Sequence, residues 1–379
     1  MEVSTITSIV RNVLSAQLMI PSIVTFLVCI TTVLLTPTLH KLFRRENDLS
    51  AVQASHTKPT LRIGGLGILI GLLVGLFLFK FDRDLVSYAS ILLVTATPLI
   101  MVGFAEDIGL HLRPSFRLGA IALSSLFCAV LMGNVISKLG LIWLDDALEY
   151  YPIALLFTIF AASGLTSAFN LIDGLNGLAS FTAITSSVAL AAIAKIAGLD
   201  YLHYFYNLVT IITFGFFLLN YPFGKLFLGD GGAYLLGFCF VWGGITLTNQ
   251  VAGLSAFAVL LIFFWPIADT LLAIWRRIKL SSSTSRPDRL HFHQLVMRFL
   301  EIHLLGRQRR QLSNPLATFI IAPLIVAPQI CGLVFAFDHF AAVVSSILFS
   351  LVFIMTYLFG IHFSKRNHTR RYINFHEKV

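Results

Sequence analysis

The chain has 379 residues, 57% of them hydrophobic and only 12% charged, against a charged share of roughly 25% in ordinary soluble domains. That balance excludes a water-soluble globular enzyme. The formal net charge of +9 has a topological explanation, set out below, which removes the case for a nucleic-acid partner.

Apolar runs of about 18 residues with almost no charge can cross ~30 Å of hydrocarbon. In chain order they fall at 17–37, 63–79, 85–105, 118–137, 152–170, 178–197, 204–220, 231–248, 252–275, 315–336 and 340–361. The first continues into HKLFRR without an A-x-A site, so it is expected to be a span rather than a cleaved leader. Cys29, Cys128, Cys239 and Cys331 all lie inside spans with no CxxC pair, which predicts neither disulfides nor a zinc framework. The expected fold is an all-α polytopic membrane protein of about eleven transmembrane helices in one integral-membrane domain, 1–379. Its large cytoplasmic loop is 276–314 and its basic tail 362–379.

Lys and Arg collect in cytoplasmic loops. With the N-terminus outside and the C-terminus cytoplasmic, 22 of the 27 basic residues fall in inside segments and five outside. The same arrangement puts four polar stretches on one face: GFAEDIGLHLRPSFR (103–117), SAFNLIDGLNG (167–177), NYPFGKLFLGDGGAY (220–234) and RPDRLHFHQ (286–294).

Each stretch has its own chemistry. Glu106 and Asp107 are adjacent carboxylates at a span end, where a charge at membrane depth needs a cation or water beside it. Asn170 and Asp173 are three apart at the end of a helical run, with Asn176 beyond them in a glycine-rich turn; they could read a polar ligand or satisfy one another. Asp230, between glycines, could cap a helix or hold a hard cation. His291 and His293 are two apart beside Arg286 and Arg289, a set able to grip a phosphate. HxH has no third ligand nearby in the sequence, which argues against zinc. Asp269 is an acid inside a span, a functional candidate by default or the partner of an Arg or a backbone group. Carboxylates, a hard cation, Arg and His form a kit for phosphoryl transfer.

SAFNLIDGLNGLAS, KLFLGDGGAYLLGF, PDRLHFHQ and HTKPTLRIGGLGIL (56–69) resemble the four signature regions of the polyprenyl-phosphate N-acetylhexosamine-1-phosphate transferases. The likeness covers about residues 56–300. It implies a transferase using Mg²⁺, or Mn²⁺ in its place. Phosphohexosamine would move from a UDP-N-acetylhexosamine to undecaprenyl phosphate, UMP would leave, and a cell-surface polysaccharide would be started.

It also implies site roles. Asp107, Glu106, Asp173 and His291 are expected to be catalytic, and Asp230 with Asp107 to hold the metal. Asn170, Asn176, Phe227, Arg289 and His293 are expected to bind substrate, Phe227 by stacking on uracil. The implied location is the bacterial inner membrane, multi-pass, with the site on the cytoplasmic face and homodimer formation left open. Glu106 stands where the family usually has Asp, Asn176 where it usually has a second Asp, and Gln294 where a further His is common. The PDRLHFHQ wording is nearer the GlcNAc-1-phosphate branch. A catalytically impaired polyprenyl-phosphate-binding homologue is the alternative, and a transporter a weaker one, since carriers place polar groups at the bilayer midplane.

Overall fold

The computed structural model describes residues 16–36, 38, 60–78, 82–279 and 291–376, and the elements among them are helices and turns, with no strand. In chain order the α-helices are α1 Ala16–Leu34, α2 Gly64–Leu78, α3 Arg83–Asp107, α4 Pro114–Met132, α5 Ile142–Leu148, α6 Tyr151–Leu171 and α7 Leu178–Ile196. They continue with α8 Asp200–Asn220, α9 Gly229–Gln250, α10 Ala256–Ile262, α11 Phe264–Lys279, α12 Phe292–Leu300, α13 Arg310–Val334 and α14 His339–His376.

Every expected span coincides with helix, but not always with one straight crossing. Among the described residues eight helices are long and apolar enough to cross a membrane, while α1 and α2 are shorter apolar helices. The run 252–275, expected as one span, is two helices: α10 and α11 meet at 82°. Pro266 explains the break. In a continuous helix its nitrogen would donate to the Ile262 carbonyl, and proline has no N–H to give. That carbonyl is instead met by Gln329 Nε2 at 3.2 Å and Ser186 Oγ at 3.4 Å, from α13 and α7. Part of the expected loop 276–314 is also helical, since α11 runs to Lys279 and α12 begins at Phe292.

The centre of the bundle is α9. It is buried along almost its whole length, packed by α2, α3, α6 and α7. Its amino-terminal glycines allow that enclosure. A Cβ on Gly65 of α2 would strike the backbone of Gly232, and one on Gly103 of α3 the backbone of Gly231. With no side chains between them, the three backbones meet at one end of the bundle. The chain before α2 is tied there as well: Phe227 N–H donates to the Leu61 carbonyl at 2.9 Å, and Gly64 N–H to the Phe227 carbonyl at 2.9 Å.

Candidate active site

The close approach of α3 to α9 puts a carboxylate under a helix start. Asp107 closes α3, is 4% exposed, and accepts from the N–H groups of Asp230 at 2.8 Å and Gly231 at 2.9 Å. The free N–H groups of a first turn and the positive end of the helix dipole both favour an anion there. Gly229, at φ 79°, makes the turn; a Cβ on it would press on the Arg62 carbonyl and on Asp107.

The other acids gather around this point. Asp230 Oδ2 accepts from Arg117 at 2.8 Å, and the same guanidinium nitrogen lies 3.8 Å from Glu106. Glu106 also accepts from the Leu112 N–H at 2.9 Å. Arg62 is within electrostatic reach of both Asp107 and Asp173, and Asp173 feels Asp230. Desolvation pushes the Asp173 carboxyl up to about 6, with the Asp230 charge adding to the rise and Arg62 and a Gly229 N–H opposing it. Counted with every carboxyl ionised, the four carboxylates outnumber the two guanidiniums by two.

A second cluster adjoins the first. Asp269 of α11 is 1% exposed. It accepts from the Phe292 N–H at 2.8 Å and from His293 Nδ1 at 2.9 Å, and His291 Nδ1 lies 3.4 Å from the same Oδ2. The expected partner of Asp269 was an Arg or a backbone group; the backbone half is the Phe292 amide, and the remaining partner is histidine. Asp269 also supplies the third side chain that HxH lacks in the sequence. Among the described residues, Asp269, His291 and His293 are the only His, Cys, Asp or Glu group with three ligand atoms within 4.8 Å of one another. A Cβ on Gly174 would strike His293 Nε2, so the histidine lies directly over the turn that carries Asp173.

The other expected residues have surroundings of their own. Asn170 is half-buried in the last turn of α6, its side chain making no hydrogen bond among the described residues. Asn176 is occupied as a joint: its N–H donates to Asn314 at 2.7 Å, its amide nitrogen to the Pro222 carbonyl at 3.0 Å, and its carbonyl accepts from Thr318 at 2.8 Å. Phe227 is 8% exposed. Arg289 lies outside the described residues. Arg62 and Arg117 were not among the expected site residues, and Asp269 was a candidate with no role assigned to it. Arg117 shares its stretch with Glu106 and Asp107, and Arg62 sits in the 56–69 signature, which are the signals that could have found them.

A divalent cation suits the acid cluster in kind and in charge, because carboxylate oxygens are the ligands a hard cation selects and the surplus, with every carboxyl ionised, is two charges. Asp107 already accepts two backbone N–H bonds, which leaves Asp173 and Asp230 as the less committed donors.

An apolar cavity of about 340 Å³ runs between α6, α9, α10 and α11, with Ala168, Ile274 and Lys138 among its lining residues. Phe160 and Leu271 on its wall are 76% and 59% exposed, so it opens sideways onto the apolar surface.

The description "Glycosyl transferase family 4" matches residues 89–248, a window holding Glu106, Asp107, Asn170, Asp173, Asn176, Phe227 and Asp230. The chain is 28% identical over 305 residues to a Bacillus subtilis protein named probable undecaprenyl-phosphate N-acetylglucosaminyl 1-phosphate transferase, an alignment spanning 76% of this chain and 83% of that one. It is 26% identical over 241 residues to the Salmonella typhi undecaprenyl-phosphate alpha-N-acetylglucosaminyl 1-phosphate transferase, over 62% of this chain and 65% of the relative. It is also 26% identical over 297 residues to the Mycobacterium leprae decaprenyl-phosphate N-acetylglucosaminephosphotransferase, over 69% and 71%. The matched window holds the four carboxylates of the acid cluster, and over most of its length the chain is similar to proteins named as polyprenyl-phosphate N-acetylglucosamine-1-phosphate transferases.

Proposed function

We propose that this protein transfers an N-acetylhexosamine-1-phosphate unit, with N-acetylglucosamine the favoured sugar, from its UDP carrier to undecaprenyl phosphate. The reaction takes place at the cytoplasmic face of a bacterial inner membrane, with Mg²⁺ as the cofactor. A phosphate oxygen of the acceptor attacks the sugar-bearing phosphorus. A new P–O bond joins lipid phosphate to sugar phosphate, the P–O bond to UMP breaks, and UMP leaves with the bridging oxygen. The attacking phosphate is already an anion, so positioning and neutralisation carry most of the catalysis.

The observation that carries this reading is a cluster of acids, arginines and histidines at one end of the bundle, together with an apolar cavity that opens sideways and is walled in part by α9 and α11, the helices that carry Asp230 and Asp269. A polar head and an apolar tail on one acceptor would use both. Asp173 and Asp230 would hold the cation, with Asp107 fixing the start of α9 beside them; the chemistry a cation supplies when bound is neutralisation of phosphoryl oxygens. Arg117 holds Asp230 in place, and Arg62 offsets the acid charge. His291 and His293, with Arg289, would hold the donor phosphates, and the uncommitted Asn170 amide and Phe227 would shape the nucleotide pocket. The Asn176 tie gives that departure from the family a structural place, which weighs against an impaired homologue.

The test is purified protein with undecaprenyl phosphate and a panel of UDP-N-acetylhexosamines, with Mg²⁺ or with EDTA. UMP should appear with one donor and cease with chelation. No UMP from any donor, with polyprenyl phosphate still bound, would make the protein a binding homologue.

A further inference from the structure

Asp269 is the most enclosed acid near the site, yet the transfer reaction as written does not touch it. Its two oxygens divide their work. Oδ1 takes the Phe292 N–H at 2.8 Å, and Oδ2 takes His293 Nδ1 at 2.9 Å with His291 Nδ1 at 3.4 Å. One carboxylate on α11 therefore pins two successive residues at the start of α12 and lies beside the His291 ring that precedes them. The His291 and His293 rings lie 5.5 Å apart and 24° from parallel.

A carboxylate only accepts, so at 2.9 Å the Nδ1 of His293 is the nitrogen that bears hydrogen. The ring's other nitrogen, Nε2, is buried, has no hydrogen-bond partner among the described residues, and sits against Gly174, next to Asp173. A buried polar atom without a partner asks for one, and the turn it faces belongs to the acid cluster.

We propose that Asp269 is a positioning residue for His293, holding the ring through Nδ1 so that Nε2 faces the Asp173–Gly174 turn and meets a phosphate oxygen of the diphosphate donor there. The proposal rests on the transferase reading for the identity of that partner, and on geometry alone for the orientation. Asp269 acts through the histidine, and its own carboxylate never reaches substrate. A shared transition metal is the competing use of the same three side chains. Zinc with bonds of roughly 2.0–2.2 Å at tetrahedral angles would hold its ligand atoms about 3.3 Å apart, whereas Asp269 and His293 are 2.9 Å apart, the length of a direct hydrogen bond.

Two measurements on the full-length purified protein decide it. The first compares UMP release by the parent, Asp269→Asn, His293→Ala and the double variant. Each single change should lower turnover on the order of 100-fold, as loss of an orienting partner does elsewhere, with the parent fold retained by thermal unfolding. The double variant should be no worse than His293→Ala, because both changes remove one function. Multiplying losses would overturn the proposal, since a merely structural Asp269 would add its cost independently.

The second is ¹⁵N-histidine NMR of the parent, with His293 assigned from its loss in His293→Gln. Hydrogen on Nδ1 is expected; hydrogen on Nε2 alone would overturn the orientation even if Asp269→Asn does not fold. If the parent releases no UMP with any donor, the transferase reading falls while the NMR still decides the histidine. A stoichiometric transition metal in the parent, lost in Asp269→Asn, would overturn the proposal in favour of a metal site.

Discussion

Asn176 spends its amide nitrogen on the Pro222 carbonyl at 3.0 Å and its backbone on Asn314 and Thr318 of α13. A carboxylate in its place would face that carbonyl with no hydrogen to offer. Asn176→Asp is therefore expected to cost about 2 kcal/mol of stability, seen as a fall of several degrees in thermal unfolding. The donor KM of the surviving folded fraction should stay near the parent value. Unchanged unfolding with a shifted donor KM would return Asn176 to the nucleotide pocket that the family pattern implies. The sequence shows that an amide stands here, but not whom it serves, because its partners are 46 to 142 residues away along the chain. Arg62 and Arg117 were hidden for another reason. A basic residue at the inner end of a span satisfies the topology rule whatever it touches, so its second use at the acids leaves no separate mark. Glu106, Asp107, Asp173 and Asp230 were legible because acids at span ends have no such routine explanation.

The break between α10 and α11 was legible only in Pro266, and hydropathy passes over it because FFWPIA is as apolar as its neighbours. The consequence of the break is borne by Gln329. Its Nε2 reaches Ser186 Oγ at 3.0 Å and the Ile262 carbonyl at 3.2 Å, giving the freed carbonyl a partner inside the bundle. Gln329→Leu should lower stability by roughly 1–3 kcal/mol, the cost of a buried acceptor losing its donor. Turnover should fall with it, because α11 carries Asp269. A variant that unfolds at the parent temperature would show that Ser186 alone suffices. Elsewhere the helices were readable as apolar runs. Their meeting at Gly65, Gly103, Gly231 and Gly232 was not, since a glycine in a membrane helix marks a close contact without naming the backbone on the other side.

For the whole chain the division of basic residues sets an orientation that can be tested in intact cells. Asp145 lies with Gly140 at the end of the bundle away from the acid cluster, accepting from the Gly140 N–H at 2.9 Å. A cysteine placed at Asp146 should react with a membrane-impermeant thiol reagent, and one placed at Arg286 should not. The four native cysteines would be replaced first, Cys331 being the one not fully buried. Labelling at Arg286 with protection at Asp146 would turn the chain over and put the site outside.

The sideways cavity along α6 and α11 has a consequence for supply. A water-borne nucleotide and a leaflet-borne acceptor would arrive along perpendicular routes and never queue at one doorway. Turnover would then follow the two-dimensional density of acceptor in the bilayer rather than its amount per volume of buffer. Diluting the membrane with inert lipid would starve the enzyme while the surrounding solution stayed saturated with donor.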